Sequence, residues 1–349
     1  MNSLPTLLAR ARLAAALWRT PRPGQPIKLT AILTERCHLR CDFCRLWEAP
    51  QSGAPTREWL AFFRNNPFLR WVNLSGGELF AKEQLHELLL GIVAALPRLE
   101  LLDFPTAGQR PAEVEAAVDA LLVTRLPQLA VTVSLDGGPE LHDQLRGVEG
   151  AFERAFDCFV RLRRRRSARC VVVAGCTLTE RAEEQAETLS RELAHRLHDF
   201  EPAELHFNLA HHSTHYYRNT AFTALPGEGA LAVLRRWPKP TGPLGFLERA
   251  YARLAPRALA EGFPPIGCEA LRRTVFVGPD LDVHPCTIWE QPLGNLRDHD
   301  LSLERLLLQA PATTARATIE RRGCPGCFSP CEALPAMAAR PIATALLRR

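Results

Sequence analysis

The sequence predicts an α/β protein: an open, partial barrel of six β/α units followed by a small C-terminal module of different character. Three observations carry that prediction. Strand-like and helix-like segments alternate from Ile27 to about Leu209. Proline and glycine then accumulate after Leu225 and break the rhythm. The 11 cysteines of the 349-residue chain fall mainly into one group near each end.

The elements follow in order. Residues 4–18 read as an amphipathic helix with Leu4, Leu7, Leu8, Ala11 and Trp18 on one stripe. That stripe is expected to pack against the main domain, with contact to a membrane surface as the alternative. A proline-rich linker over 21–26 completes the first segment, residues 1–26. Strand-like runs follow at 27–33, 71–75, 99–104, 129–135, 170–178 and 204–209, with helical patterns at 56–64, 82–95, 112–123, 151–164 and 179–197. Such alternation implies a parallel sheet with helices outside it. Six strands are too few for a closed eightfold barrel, and in barrels of this kind chemistry sits at the C-terminal ends of the strands. Residues 27–225 therefore form the barrel, 226–263 a helical bridge, and 264–349 a separate module.

Composition narrows the function. Apolar residues make up 46% of the chain, enough for a full core, and the net charge is a modest +5. No apolar run reaches the roughly 20 residues that cross a bilayer. The leucines near the start are interrupted by Arg10, Arg12 and Arg19, which is not the pattern of an export signal. A cytoplasmic protein is expected, and cysteines there argue for metal ligation or catalysis over disulfides. The densest basic stretch, Arg161 to Arg166, reads as the solvated end of a helix or as a patch for an acidic partner. Few aromatics accompany it, so no nucleic-acid partner is expected.

The first cysteine group is Glu35-Arg-Cys37-His-Leu-Arg-Cys41-Asp-Phe-Cys44, directly after the first strand. Three thiolates at spacings of four and three can wrap one face of a cubane cluster. A fully ligated [4Fe–4S] site needs four cysteines, so three leave one iron open to a ligand. A zinc site or three unrelated thiols are the alternatives on spacing alone. Two further motifs end later strands. Ser75-Gly76-Gly77-Glu78 follows the second, and Ser134-Leu-Asp136-Gly137, then His142-Asp-Gln-Leu-Arg146-Gly147, follow the fourth.

In this order the motifs resemble the radical S-adenosylmethionine (radical SAM) superfamily. The resemblance implies that Cys37, Cys41 and Cys44 hold a [4Fe–4S] cluster whose open iron is chelated by S-adenosylmethionine. It implies reductive cleavage to a 5′-deoxyadenosyl radical, which takes a hydrogen atom from substrate. It places Phe43 near the adenine and Gly76, Gly77 and Glu78 at the methionyl amine. Ser134 and Asp136 fall at the ribose, and Arg146 at the cofactor carboxylate. Leu79 stands where the family has proline.

The second group comprises Cys268, a hairpin-like stretch over 274–284, Cys286, a Gly294-Asn295 step, and Cys324-Pro-Gly-Cys327-Phe-Ser-Pro-Cys331. Four cysteines in two halves suit a zinc ribbon equally well on spacing. The arrangement resembles the C-terminal module called SPASM, or its shortened form called twitch. That resemblance implies one auxiliary [4Fe–4S] cluster on Cys268, Cys286, Cys324 and Cys327, with Cys331 able to replace one of them.

After the sixth strand, His206, Asn208, His211, His212, Tyr216 and Tyr217 are candidate substrate contacts or proton acceptors. A zinc site from His211, His212 and His215 is the alternative. Cys176 reads as a buried thiol or a radical-quenching one, and Cys158 and Cys170 as packing. The expected substrate is a ribosomally made peptide or a protein side chain, or else a small molecule such as an aminocyclitol or sugar. The expected electron donor is a flavodoxin or ferredoxin. A non-catalytic iron–sulfur or zinc scaffold would need none of the glycine, serine, aspartate and arginine motifs. The first strand begins at Ile27, so no separate peptide-binding domain is expected ahead of it.

Overall fold

The computed structural model describes residues 4–50 and 53–346. Six parallel strands form the barrel: β1 (Lys28–Ile32), β2 (Trp71–Ser75), β3 (Leu101–Thr106), β4 (Leu129–Ser134), β5 (Cys170–Leu178) and β6 (Leu205–Leu209). They lie side by side in sequence order, each paired in parallel with the next. Helices α1 (Leu4–Trp18), α2 (Thr56–Asn65), α3 (Leu85–Ala95), α4 (Pro111–Leu122), α5 (Pro139–Arg146), α6 (Ala151–Arg163) and α7 (Ala182–Arg196) precede or connect them.

Strands β3, β4 and β6 alternate strictly, whereas β1, in the middle of the sheet, is buried throughout. Leu102 and Phe104, Leu129, Val131 and Val133, and Leu205, Phe207 and Leu209 are buried, while the residues between them are only half-buried. Successive side chains of a strand point to opposite faces. One face therefore packs under the helices, against side chains such as Trp59, Phe62 and Phe63 of α2. The other face looks into the concave interior and carries Asn73, Asp103, Thr132, Ser134, Thr177, His206 and Asn208.

The bridge consists of α8 (Glu228–Arg236) and α9 (Gly242–Glu261). The C-terminal module holds β7 (Thr274–Val277), β8 (Asp282–His284), β9 (Gly294–Asn295), α10 (Leu303–Leu307), α11 (Ala310–Glu320), α12 (Pro330–Ala339) and α13 (Pro341–Leu346). The module is less separate than the sequence suggested. β7 pairs in parallel with β1, so the β7–β9 meander extends the barrel sheet to nine strands. One continuous apolar core runs through both parts. β1 would otherwise be an open edge with its ladder groups unpaired, and β7 covers it.

Helix α1 has the expected span but docks by the other side. Thr6, Ala9 and Leu17 are buried, whereas Leu7, Leu8 and Trp18 are exposed at 46%, 48% and 59%. Small side chains let the helix lie close. Arg12 clamps it to the buried Glu100 through two hydrogen bonds of 2.7 and 3.0 Å, and Arg273 Nε donates to the Leu17 carbonyl at 2.7 Å. The basic stretch is largely neutralised in place. Arg161 pairs with Glu115 and Asp157, Arg163 with Asp199 and Glu204, Arg165 with Glu115 and Asp119, and Arg166 with Glu204. That is the solvated helix end, with no free patch for an acidic partner among those four arginines.

Candidate active site and metal centres

The three-cysteine loop leaves the C-terminal end of β1 and is pinned from two sides. On one side Gly77 N–H donates to the Thr34 carbonyl and Glu78 N–H to the Arg36 carbonyl, both at 2.8 Å. The two glycines make this approach possible. A Cβ on Gly76, whose φ is +147°, would lie 2.3 Å from the Thr34 oxygen, and one on Gly77 would lie 2.2 Å from the Arg36 oxygen. On the other side Arg40 N–H donates to the Arg146 carbonyl at 2.8 Å and Asp42 N–H to the Leu145 carbonyl at 3.3 Å. These acceptors are the last carbonyls of α5, a helix that the sequence shows only as a motif. The carboxylate of Asp143, also on α5, accepts from Gly150 and Phe152 N–H at the start of α6, which fixes the helix pair.

Cys37, Cys41 and Cys44 line one wall of a cavity of about 320 Å³. Phe43, Gly76, Gly77, Glu78, Ser134 and Arg146 line it with them. Burial pushes the Cys37 thiol up to about 11, the Cys44 thiol up to about 12, and the Cys41 thiol upward as well. The thiols are therefore neutral at pH 7, and a metal centre would have to displace their protons. Arg146 Nη1 lies 3.7 Å from Cys41 Sγ, and its guanidinium sits 5.3 Å over the Phe43 ring. A cation is thus held directly against a buried sulfur of the cysteine loop.

Two expected cofactor contacts have other partners. Asp136 is fully buried and does not line the cavity. Its Oδ2 accepts from Arg146 Nε at 2.5 Å and its Oδ1 from Thr177 N–H at 2.7 Å. The carboxylate thus positions Arg146 rather than facing a ribose. Glu78 reaches the cavity wall, but its carboxylate accepts from Thr106 Oγ1 at 2.8 Å, Ala107 N–H at 2.7 Å and Phe80 N–H at 3.2 Å. Those bonds tie β3 to the loop after β2 and give the Thr106-Ala107-Gly108 step a role that its sequence did not reveal.

Of the substrate candidates, His206, Asn208, His211, Tyr216 and Tyr217 line the same cavity. His212 lies outside it, exposed, with Nε2 2.5 Å from the Phe222 carbonyl. His215 stacks on His284 and bonds to the Cys286 carbonyl, so the three histidines do not converge as a zinc site. Tyr216 hydroxyl bonds Ser75 Oγ at 2.7 Å, and its ring packs 4.4 Å from Tyr217. A further part of the lining was not foreseen. It carries Lys28, Trp71, Asn73, Asp103 and Thr287, with Asp103 accepting from Trp71 Nε1 and Asn73 Nδ2, each at 2.5 Å. Burial raises the Asp103 carboxyl, partly offset by Lys28. The period-two polar residues of β1–β3 were the available signal. Asn208 Oδ1, His211 Nε2 and Thr287 Oγ1 are buried without partners. An unmet buried polar atom costs roughly 1–3 kcal/mol, so these mark where a ligand or water belongs.

A second cavity, about 220 Å³, is lined by Cys268, Cys286, Cys324 and Cys327 together with Arg272 and Arg340. Cys331 is not among them. It lines the first cavity, and its carbonyl accepts from Lys28 Nζ at 2.6 Å. Burial raises the Cys268, Cys286 and Cys327 thiols. Among the described residues no three His, Cys, Asp or Glu side chains are gathered as a site for a single metal ion. Cys158, Cys170 and Cys176 are fully buried in the core, away from both cavities. No described helix is long and apolar enough to cross a membrane.

The fold is similar to that of solved S-adenosylmethionine-bound proteins such as Streptococcus suis SuiB, with a TM-score of 0.56 and 17% identity over 84% of this chain and 68% of SuiB, and the three-cysteine loop leaves the end of β1 as the sequence resemblance implies. No model of a known protein family matches the chain. Two Bacillus subtilis (strain 168) proteins are similar in sequence. The sporulation killing factor maturation protein SkfB is 26% identical over 163 residues, 44% of this chain and 36% of SkfB. The antilisterial bacteriocin subtilosin biosynthesis protein AlbA is 30% identical over 132 residues, 36% of this chain and 28% of AlbA. The chain thus spans about a third of the length of these relatives. In fold it is similar to Streptococcus suis SuiB bound to precursor peptide SuiA, with a TM-score of 0.58 and 16% identity over 90% of this chain and 71% of SuiB.

Proposed function

We propose that this chain cleaves S-adenosylmethionine reductively and abstracts a hydrogen atom from a ribosomally made peptide or protein side chain. The observation that carries the reading is the meeting of Cys37, Cys41 and Cys44 with Gly76, Gly77, Ser134 and Arg146 in the lining of one cavity, which also holds unpartnered polar atoms. When bound there, a [4Fe–4S] cluster supplies the electron that splits the sulfonium into methionine and a 5′-deoxyadenosyl radical. The chain does the rest. Two glycines bring the backbone of the β2 loop against the cysteine loop. Phe43 offers a flat apolar surface, and Arg146, fixed by Asp136, offers positive charge for a carboxylate. Thr132, Ser134 and Thr177 supply hydroxyls on the wall between.

Peptide modification is favoured over small-molecule chemistry because SkfB is named for the maturation of a killing factor, AlbA for the biosynthesis of a bacteriocin, and SuiB is seen bound to a precursor peptide. Cys268, Cys286, Cys324 and Cys327 would hold one auxiliary [4Fe–4S] cluster. The cavity they line suits a bulky cluster better than a lone zinc ion. An external one-electron donor such as a flavodoxin or ferredoxin is required.

The test is anaerobic reconstitution followed by assay of 5′-deoxyadenosine. The wild-type chain with a strong reductant should release it, and Cys41→Ala should not. Release by Cys41→Ala at the wild-type rate would overturn the assignment.

A further inference from the structure

The bridge helix α9 contributes a residue to the cavity's chemistry without lining that cavity itself. Glu248 sits on α9, buried, with Oε1 2.7 Å from Nδ1 of His206 on β6. The alternation of β6 turns His206 and Asn208 to the concave side and Leu205, Phe207 and Leu209 to the helices. His206 stands between two spaces: the main cavity, and a small one closed by Phe207, Leu234, Lys239, Glu248 and Tyr251. Its Nδ1 edge is taken by Glu248. Its Nε2 has no hydrogen-bond partner among the described residues and is not one of the sealed polar atoms.

We propose that His206 is the proton-accepting residue of the main cavity and that Glu248 sets the tautomer it needs. The proposal rests on the functional reading above. A carboxylate can only accept, so Nδ1 carries the proton and Nε2 presents its lone pair. A buried carboxylate on the far nitrogen also holds the ring in plane and stabilises the imidazolium that forms, the logic of carboxylate–histidine pairs in acyl transfer. The charged and titratable groups that share the two spaces with the pair are Lys239 and Tyr251 on the bridge side, and Lys28, Glu78, Asp103, Arg146, His211, Tyr216, Tyr217 and the cysteines of the main cavity. Burial lowers the Lys239 amine, and the nearby Glu248 carboxylate partly offsets that.

The substrate class follows from the chemistry. A carbon radical formed by hydrogen abstraction needs no base by itself. A base is useful where the radical carbon carries or adjoins an O–H, N–H or S–H, as in a peptide's hydroxyl, amide or thiol group. The X–H bond then breaks heterolytically: the proton goes to Nε2, the electron pair stays on X, and the unpaired electron stays on the substrate. One negative charge thereby passes from the His–Glu pair to X, and the total charge of the cavity is unchanged.

The experiment is done on the full chain. Histidine-selective ¹⁵N labelling, with His206→Gln to assign the signal, should show the Nδ1–H tautomer at neutral pH and its loss in Glu248→Gln. A signal from the Nε2–H tautomer would overturn the proposal. The second arm uses reconstituted enzyme and the peptide it turns over, comparing wild type with His206→Gln. The amide of that variant can still donate to Glu248, so the tie between β6 and α9 survives but the base does not. Product formation should fall by about 10²- to 10⁴-fold and lose its dependence on pH at the acid side. Wild-type product formation, or a reduced rate with the wild-type pH profile, would show that the pair only joins strand to helix. Absence of 5′-deoxyadenosine release from wild type would instead count against the functional reading, and the tautomer arm would still decide this one.

Discussion

Replacing Asp136 with asparagine tests whether this carboxylate is a positioning group or a cofactor contact. Asp136 is wholly enclosed, and the Arg146 side chain that it meets is only 10% exposed. Asparagine keeps the shape and an oxygen for Thr177 N–H, but it turns an NH₂ toward the guanidinium and leaves a buried cation unpaired. Breaking a buried pair by removing one partner costs about 3–5 kcal/mol. That is a large part of the roughly 5–15 kcal/mol by which domains are stable. The loss should appear in the metal-free chain, because no cofactor contact is involved. Urea unfolding followed by circular dichroism measures it. Arg146→Met added to Asp136→Asn removes the stranded charge, so the double variant should be more stable than Asp136→Asn alone. A single variant within about 1 kcal/mol of wild type, well short of the cost of breaking a buried pair, or strictly additive effects, would refute the reasoning and return Asp136 to the cofactor.

Three further outcomes are expected. Gly77→Ala should lose iron from the first site after reconstitution, because its Cβ would meet the Arg36 carbonyl; full iron content measured by elemental analysis would contradict this. Cys331→Ser should keep the auxiliary iron and Cys268→Ser should lose it, read in a Cys37/Cys41/Cys44 triple alanine background that should itself retain about four irons. His142, which accepts from Asp136 N–H at 3.0 Å, is lowered to about 4 by burial. The unfolded chain takes up that proton near 6.5, so stability is full above that pH and falls as pH drops toward 4. From pH 8 to pH 5 the loss from this residue is about 2 kcal/mol. His142→Asn should remove that part of the slope, as urea titrations at the two pH values will show.

What the sequence made legible, and what it did not, divides along physical lines. The six strands were readable because each is a short β-branched or leucine-rich run bounded by turns. The cysteine groups were readable because ligand spacing is a local property. The stripe on α1 misleads because amphipathicity says that a helix has two faces, not which one docks. Here Thr6, Ala9 and Leu17 are buried and Arg12 bonds to Glu100, while Leu7, Leu8 and Trp18 stay exposed. Helix α5 escaped notice because its eight residues are mostly polar. Partners far apart in sequence were beyond local reading: Asp136 with Thr177, Lys28 with the Cys331 carbonyl, His206 with Glu248.

The joining of β7 to β1 gives these distant pairings a common cause. Once the C-terminal meander extends the barrel sheet, α12 lies against the mouth, bringing Ser329, Pro330, Cys331 and Leu334 to the cavity wall. The same chain segment carries Cys327 on the second cavity and Cys331 on the first, four residues apart. The two sets of thiols are therefore coupled through one short turn, Phe328 to Pro330, and Phe328 is itself locked by stacking on Tyr251 at 4.6 Å and by the Tyr251 hydroxyl donating to its carbonyl at 2.8 Å. Tyr251 stands on α9, the helix that carries Glu248. The closing motif therefore reaches both cavities, with Cys324 and Cys327 at the second and Cys331 in the lining of the first.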